Sequence, residues 1–407
     1  MKLRLLSAVV AAALVAITTS PPGSAGEAAP GTPPNPWRSV AAEDPLAGMP
    51  RLTHTAWSSS RPPAGLWDRI GLHRYRLAGP ESTRVPILYL PGTNMNGELA
   101  PLDEDHNLWL FLALRGFEVF TLDYRTHAVP PDAEDLAPMA GWSGEVFAAD
   151  AAAAVEEVLT LTGHGRLVLA GFSRGVFFAY AQAAAHPETT AGVLALDGFF
   201  KSCCAARGAV ETPWAAQLEA FRQTGSWADD LGGSRGWQAR AELMRRAAEA
   251  PAEASPQPGR SNAELLAGVL HRAWGEGVLA NPREASPKGV SSAETLARLM
   301  AGYDRYYPKL QDAEGRAVVA VGDHPDFTVD DGWEELSTRV LYFGSTGMGA
   351  GFLADGLCSA AHAGRRGLEI HVLEGYGHLD VLVADPVRAD VFEPTLAWLE
   401  ALPSEPE

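Results

Sequence analysis

Gly171-Phe172-Ser173-Arg174-Gly175 sets a serine in a G-x-S-x-G pattern. It lies between an apolar run, "LVLAGF", and a stretch of helical composition, "RGVFFAYAQAAAHP". In that setting the serine occupies a sharp strand-to-helix turn with its hydroxyl pushed out above the sheet. The glycines are needed because a Cβ would collide where strand and helix come close. The helix that starts at once turns free backbone N–H groups, and the positive end of its dipole, toward developing negative charge. A serine hydroxyl is a poor nucleophile without a base. His378 in "LEGYGHLDVL", 205 residues after Ser173, follows another apolar run and a glycine-rich turn. Among the histidines it has the order and placement a base requires.

These residues need a scaffold. "VPILYLPG", "FEVFTLDYR", "RLVLAGFS" and "AGVLALDG" are short apolar runs separated by stretches of helical composition. Apolar strands alternating with helices predict a mostly parallel sheet covered on both faces, an α/β fold. The alternation breaks from Phe199 to about Asp330. There "SNAE" (Ser261–Glu264) and "SSAE" (Ser291–Glu294) have capping-box spacing, so residues 199–330 read as a mostly α-helical insertion. Leu296, Met300, Tyr303 and Tyr307 follow at helical spacing and read as a packing stripe. The alternation resumes with "TRVLYFG" and "LEIHVLEG" and closes on an amphipathic helix, "VFEPTLAWLEAL". Residues 67–198 and 331–402 therefore form one interrupted core.

With "GFSRG", "DHNLWLFLALRGFEVFTLDYR" and "GHLDVL" in this order, the chain resembles the α/β-hydrolase fold over about residues 67–402. The resemblance implies a cap in the insertion, a nucleophile at Ser173 and a base at His378. It also implies an oxyanion hole from two backbone N–H groups. One belongs to Arg174; the other lies in the loop after "ILYL", where Pro91-Gly92-Thr93-Asn94 keeps the glycine of the usual His-Gly-x but not the histidine. Thr93 is the matching position, with Asn94 beside it. Most members take the triad acid just after the seventh strand. Here that strand, "RVLYFG", is followed by Ser345, Thr346, Gly347, Met348 and Gly349, none of them a carboxylate. Asp197 ends the sixth strand, 24 residues after Ser173, and is the expected acid. Asp355, deeper in a predicted helix, is the alternative; Asp323 and Asp326 precede the seventh strand and fit less well. Asp123 and Asp380 read as turn supports, and Asp150 as a solvated helix residue.

The expected chemistry is cleavage of a small-molecule ester or acyl substrate through an acyl-enzyme, with no cofactor and no metal. Amide or peptide cleavage and acyl transfer use the same triad and stay open. So does a binding protein that has kept the scaffold without turnover. A net charge of −18 argues against a nucleic-acid partner. At the N-terminus, Lys2 and Arg4 precede an apolar run, Leu5 to Ile17, and then small residues. That is signal-peptide layout over residues 1–26, too short to span a bilayer, and it predicts an exported protein with no stable membrane span once the segment is removed. Residues 27–66 read as a Pro/Ala-rich linker or arm. The three cysteines, Cys203, Cys204 and Cys358, follow adjacent strands, and that placement allows a bridge from Cys203 or Cys204 to Cys358. Oligomeric state is open.

Overall fold

A computed structural model describes residues 37–202, 214–233, 236–274, 277–319 and 324–403. The signal-like segment, Cys203, Cys204 and Asp323 lie outside the described residues.

Short, mostly apolar runs become the buried central strands. β3 (Arg69–Leu77), β4 (Ile87–Leu90), β5 (Val119–Asp123), β6 (Leu167–Phe172) and β7 (Thr190–Leu196) lead into the insertion, and β4, β5 and β6 are buried at every position. Helices α1 (Leu108–Ala113), α2 (Gly144–Thr162) and α3 (Arg174–Ala185) make the crossovers. Alternate residues supply two separate cores. Ile87, Tyr89, Val168 and Phe172 pack on one face of the sheet. Leu88, Leu90, Leu167 and Leu169 pack on the other. That is the two-residue period of a strand covered on both sides.

Residues 37–60 form a hairpin rather than a linker. β1 (Trp37–Leu46) and β2 (Met49–Ser60) pair antiparallel and extend the sheet beyond β3. Trp37 is the one buried residue of β1, so no alternation marks the strand in the sequence. Glu43, Asp44 and Pro45 are residues that an edge strand tolerates and that otherwise suggest irregular chain.

The insertion between β7 and the next long strand holds α4 (Trp214–Thr224), α5 (Trp237–Glu249), α6 (Asn262–Leu270), α7 (Ala293–Ala301) and α8 (Lys309–Val319). Two short antiparallel ribbons accompany them: β8 (Ala228–Asp230) with β11 (Tyr306–Pro308), and β9 (Ala273–Trp274) with β10 (Gly277–Val278). Ser261 and Glu264 form the expected capping box on α6. The second cap is shifted by one residue. Ser292 caps α7 by accepting from the Thr295 amide, and Ser291 is turned inward to Asp380.

β12 (Arg339–Ser345), α9 (Ala350–Ala363), β13 (Gly367–Leu373), α10 (Asp380–Val383) and α11 (Glu393–Glu400) complete the chain. The nine-stranded sheet has the order β1-β2-β3-β5-β4-β6-β7-β12-β13, parallel from β5 onward. Among the described residues no helix is long and apolar enough to cross a membrane.

Asp150 is not solvated. It is fully buried in α2 and bound by Arg125 at 2.5 and 2.9 Å and by Arg61 at 3.1 Å. Arg125 also reaches Asp68 at 2.5 Å. Helix composition could not reveal partners 25 and 89 residues away. Arg125→Ala leaves two buried carboxylates with reduced compensation and is expected to destabilise the fold by about 3–5 kcal/mol, read by urea denaturation.

Candidate active site

β6 runs directly through Ser173 into α3. Ser173 has φ 54° and ψ −120°, a strained conformation for a non-glycine residue, which costs about 1–3 kcal/mol. The turn is over-determined by its neighbours. The Ser173 amide donates to Leu196 O at 3.0 Å, and the Val176 amide donates to Ser173 O at 3.0 Å. A Cβ on Gly171 would sit 2.4 Å from the Gly175 carbonyl, and one on Gly175 only 1.9 Å from Leu90 O. Gly175→Ala must therefore push β4 and α3 apart. An overpacking loss of about 1–3 kcal/mol is expected, with turnover falling alongside the thermal midpoint.

His378 follows β13 in a loop that Asp380 ties to the insertion. Asp380 is fully buried, and burial raises its pKa above the usual carboxylate range. It accepts from the Gly377 and Asn281 amides, both at 2.7 Å, and from Ser291 Oγ at 2.6 Å. A Cβ on Gly377 would meet Ala280 Cα at 2.7 Å, so the insertion closes directly against this loop. The support read for Asp380 from sequence thus extends across to the insertion. The His378 ring packs against Phe172 at 4.7 Å and Phe352 at 5.6 Å and is 5% exposed.

His378 Nδ1 lies 2.7 Å from Asp197 Oδ2. Asp197 is fully buried, and its backbone is held at φ 46°. Its carboxylate also accepts from the Ser345 amide at 2.7 Å and from Ser345 Oγ at 2.8 Å. With both Ser345 groups donating to it, the carboxylate meets the imidazole as an acceptor. Nδ1 then carries the proton, and Nε2 keeps its lone pair. Nothing in the sequence around Ser345 marks it as the partner of Asp197. It ends β12, and there it anchors the acid that follows β7. Asp355 lies buried in α9, accepts from Ser202 Oγ at 2.7 Å and makes no hydrogen bond with His378. Asp326 is exposed in the segment before β12.

The remaining candidates surround Ser173. The Arg174 amide, at the first position of α3, donates to no backbone carbonyl among the described residues. The Arg174 guanidinium pairs with Asp312 at 2.9 Å. Thr93 is exposed to the cavity. Asn94 sits at φ 62°, and its side-chain amide is committed to Asp304 O at 2.9 Å, so that amide group is not free to meet a substrate. Ser173 and His378 line the same cavity of about 1010 Å³ but share no hydrogen bond in this structure. Such bonds often tighten only when substrate is bound. Phe177, Phe199, Met300, Tyr303, Tyr307 and Phe352 give the cavity an apolar wall. The stripe read as packing therefore divides. Leu296 is core, whereas Met300, Tyr303 and Tyr307 face the cavity, because α7 ends at Ala301 and the chain turns back as β11. Cys358 is disulfide-bonded.

No protein-family model matches the chain, and no curated protein matches its sequence. Solved structures do match. A candidate lipase from Sulfolobus solfataricus is similar with a TM-score of 0.72 and 26% identity, over 89% of this chain and 98% of that one. An α/β-hydrolase fold protein from Nakamurella multipartita is similar at TM-score 0.47 and 14% identity, over 83% and 96%. A thermophilic esterase from Thermogutta terrifontis is similar at TM-score 0.40 and 17% identity, over 82% and 95%. The mixed sheet flanked by helices fits the Sulfolobus match, and the chain belongs to the α/β-hydrolase superfamily.

Proposed function

We propose that the protein is an exported serine hydrolase that cleaves carboxylic esters. The observation that carries this reading is the buried Asp197–His378 pair opening on the same cavity as the strained Ser173. Ser173 Oγ attacks the ester carbonyl, and His378 Nε2 takes its proton. The Thr93 and Arg174 amides hold the oxyanion of the tetrahedral intermediate. The imidazolium, stabilised by Asp197, then protonates the leaving alcohol. Water, deprotonated by His378, attacks the acyl-enzyme and releases the acid, restoring Ser173.

The aromatic and methionine wall supports a substrate with an apolar acyl or alcohol part. The likeness to a candidate lipase supports the same class. The signal-like N-terminus supports export. A panel of p-nitrophenyl esters against aminoacyl p-nitroanilides tests the reaction type. Ester hydrolysis that is lost in Ser173→Ala supports the reading; anilide cleavage without ester cleavage overturns it.

A further inference from the structure

The loop after β4, which carries Thr93, is pinned from both sides by acidic residues outside the triad. On the side of the insertion, the Asp304 amide donates to Asn94 O at 2.7 Å, and Asn94 Nδ2 donates back to Asp304 O at 2.9 Å. Asn96 Nδ2 bonds Gly302 O at 2.7 Å and Asp304 Oδ1 at 3.1 Å. On the side of the sheet, the Gly97 amide donates to Asp123 Oδ1 at 2.7 Å, and His73 Nε2 lies 2.8 Å from Asp123 Oδ2. One imidazole joins the two anchors. His127, in the turn after β5, lies 2.9 Å from Asp304 Oδ1 through Nδ1 and 4.0 Å from Asp123 Oδ2 through Nε2.

We propose that His127 and Asp304 are positioning residues that lock the Thr93 loop to the insertion, and that the lock holds while His127 is protonated. The inference rests on the oxyanion role proposed for Thr93. Asn94 explains why a lock is needed. Its left-handed backbone at φ 62° is costly for a side-chain-bearing residue and directs the Thr93 peptide. A reciprocal pair of hydrogen bonds to Asp304 holds it there. Both carboxylates are nearly buried, with side chains 9% exposed, so leaving them near one another without an intervening cation is unfavourable.

The groups facing His127 are Asp304 from the loop after α7, Asp123 from β5 and Glu98 from the Thr93 loop. β3 contributes His73, already bonded to Asp123, and β11 contributes Tyr306, whose hydroxyl donates to Ala133 O. Arg305 pairs with Asp230 instead. Partial burial lowers the His127 pKa, but the Asp304 hydrogen bond and the Asp123 and Asp304 charges outweigh it and raise it to about 9. A raised folded-state pKa means the lock is complete below the unfolded histidine value, near about 6.5. It is lost as pH rises through about 9.

The test is steady-state hydrolysis of p-nitrophenyl butyrate by the full chain between about pH 6 and 10, for wild type, His127→Gln and Asp304→Asn. The expected result is a wild-type kcat that falls as pH rises through about 9. Both variants should show kcat about 10- to 100-fold lower at neutral pH, KM within about twofold, and no alkaline fall. Wild-type kcat in both variants, losses confined to KM or to the thermal midpoint, or no alkaline fall in the wild type would each overturn the proposal. Ser173→Ala run alongside separates the two levels. Full turnover in that variant sinks the nucleophile itself, whereas its inactivity beside unaffected His127 and Asp304 variants sinks only the lock.

Discussion

Ser173→Ala is expected to lower kcat for ester hydrolysis by about 10⁴- to 10⁶-fold with the fold intact. The side chain is small and faces the cavity, so its loss opens no gap in the core. The elbow keeps its shape because Leu196 O, Gly171 and Gly175 hold the backbone rather than the hydroxyl. The strain at φ 54° is then retained without the chemistry it serves. Residual turnover should come from the oxyanion donors acting on water alone. A variant that keeps more than about a hundredth of wild-type kcat would mean that another nucleophile acts.

Asp197→Asn is expected to cost about 10⁴-fold in kcat, and Asp355→Asn close to nothing. The Ser345 amide donates to Asp197 Oδ1, so the carbonyl oxygen of an asparagine would settle there. Its NH₂ group would then face His378 Nδ1, which would have to accept. That moves the imidazole proton to Nε2 and removes the lone pair that deprotonates Ser173. The substitution is nearly isosteric, so folding by circular dichroism should persist. Asp355 accepts from Ser202 and makes no hydrogen bond with the His378 ring. If Asp355→Asn abolished turnover while Asp197→Asn left it within tenfold of wild type, the acid would be misassigned.

Strand runs such as "LVLAGF" and "VLALDG" were legible because buried parallel strands need near-continuous apolar sequence. The elbow was legible because its glycines are dictated by close backbone approach. The missing carboxylate after β12 was legible as an absence, but Ser345 as the acid's anchor was not. A serine at a strand end carries no periodic signal, and its partner lies 148 residues away. The same holds for Asp150 beneath Arg125 and Arg61. β1 was hidden because an edge strand with one buried residue looks like linker. In "SSAE" the capping-box spacing pointed to Ser291, one residue before the actual cap at Ser292. The demand of buried Asp380 for Ser291 set the frame, and that demand is a tertiary fact. The short ribbon β8–β11, which helps bring Tyr307 to the cavity side, is too brief to leave a pattern.

The most direct measurement is rapid mixing of the protein with excess p-nitrophenyl acetate, followed by acid quench and peptide mapping. A burst of p-nitrophenol near one equivalent per chain is expected, with an acetyl group on the peptide containing Ser173 and neither in Ser173→Ala. Turnover with the acetyl group on a different residue, or no turnover of any ester by folded wild-type protein, would contradict this expectation.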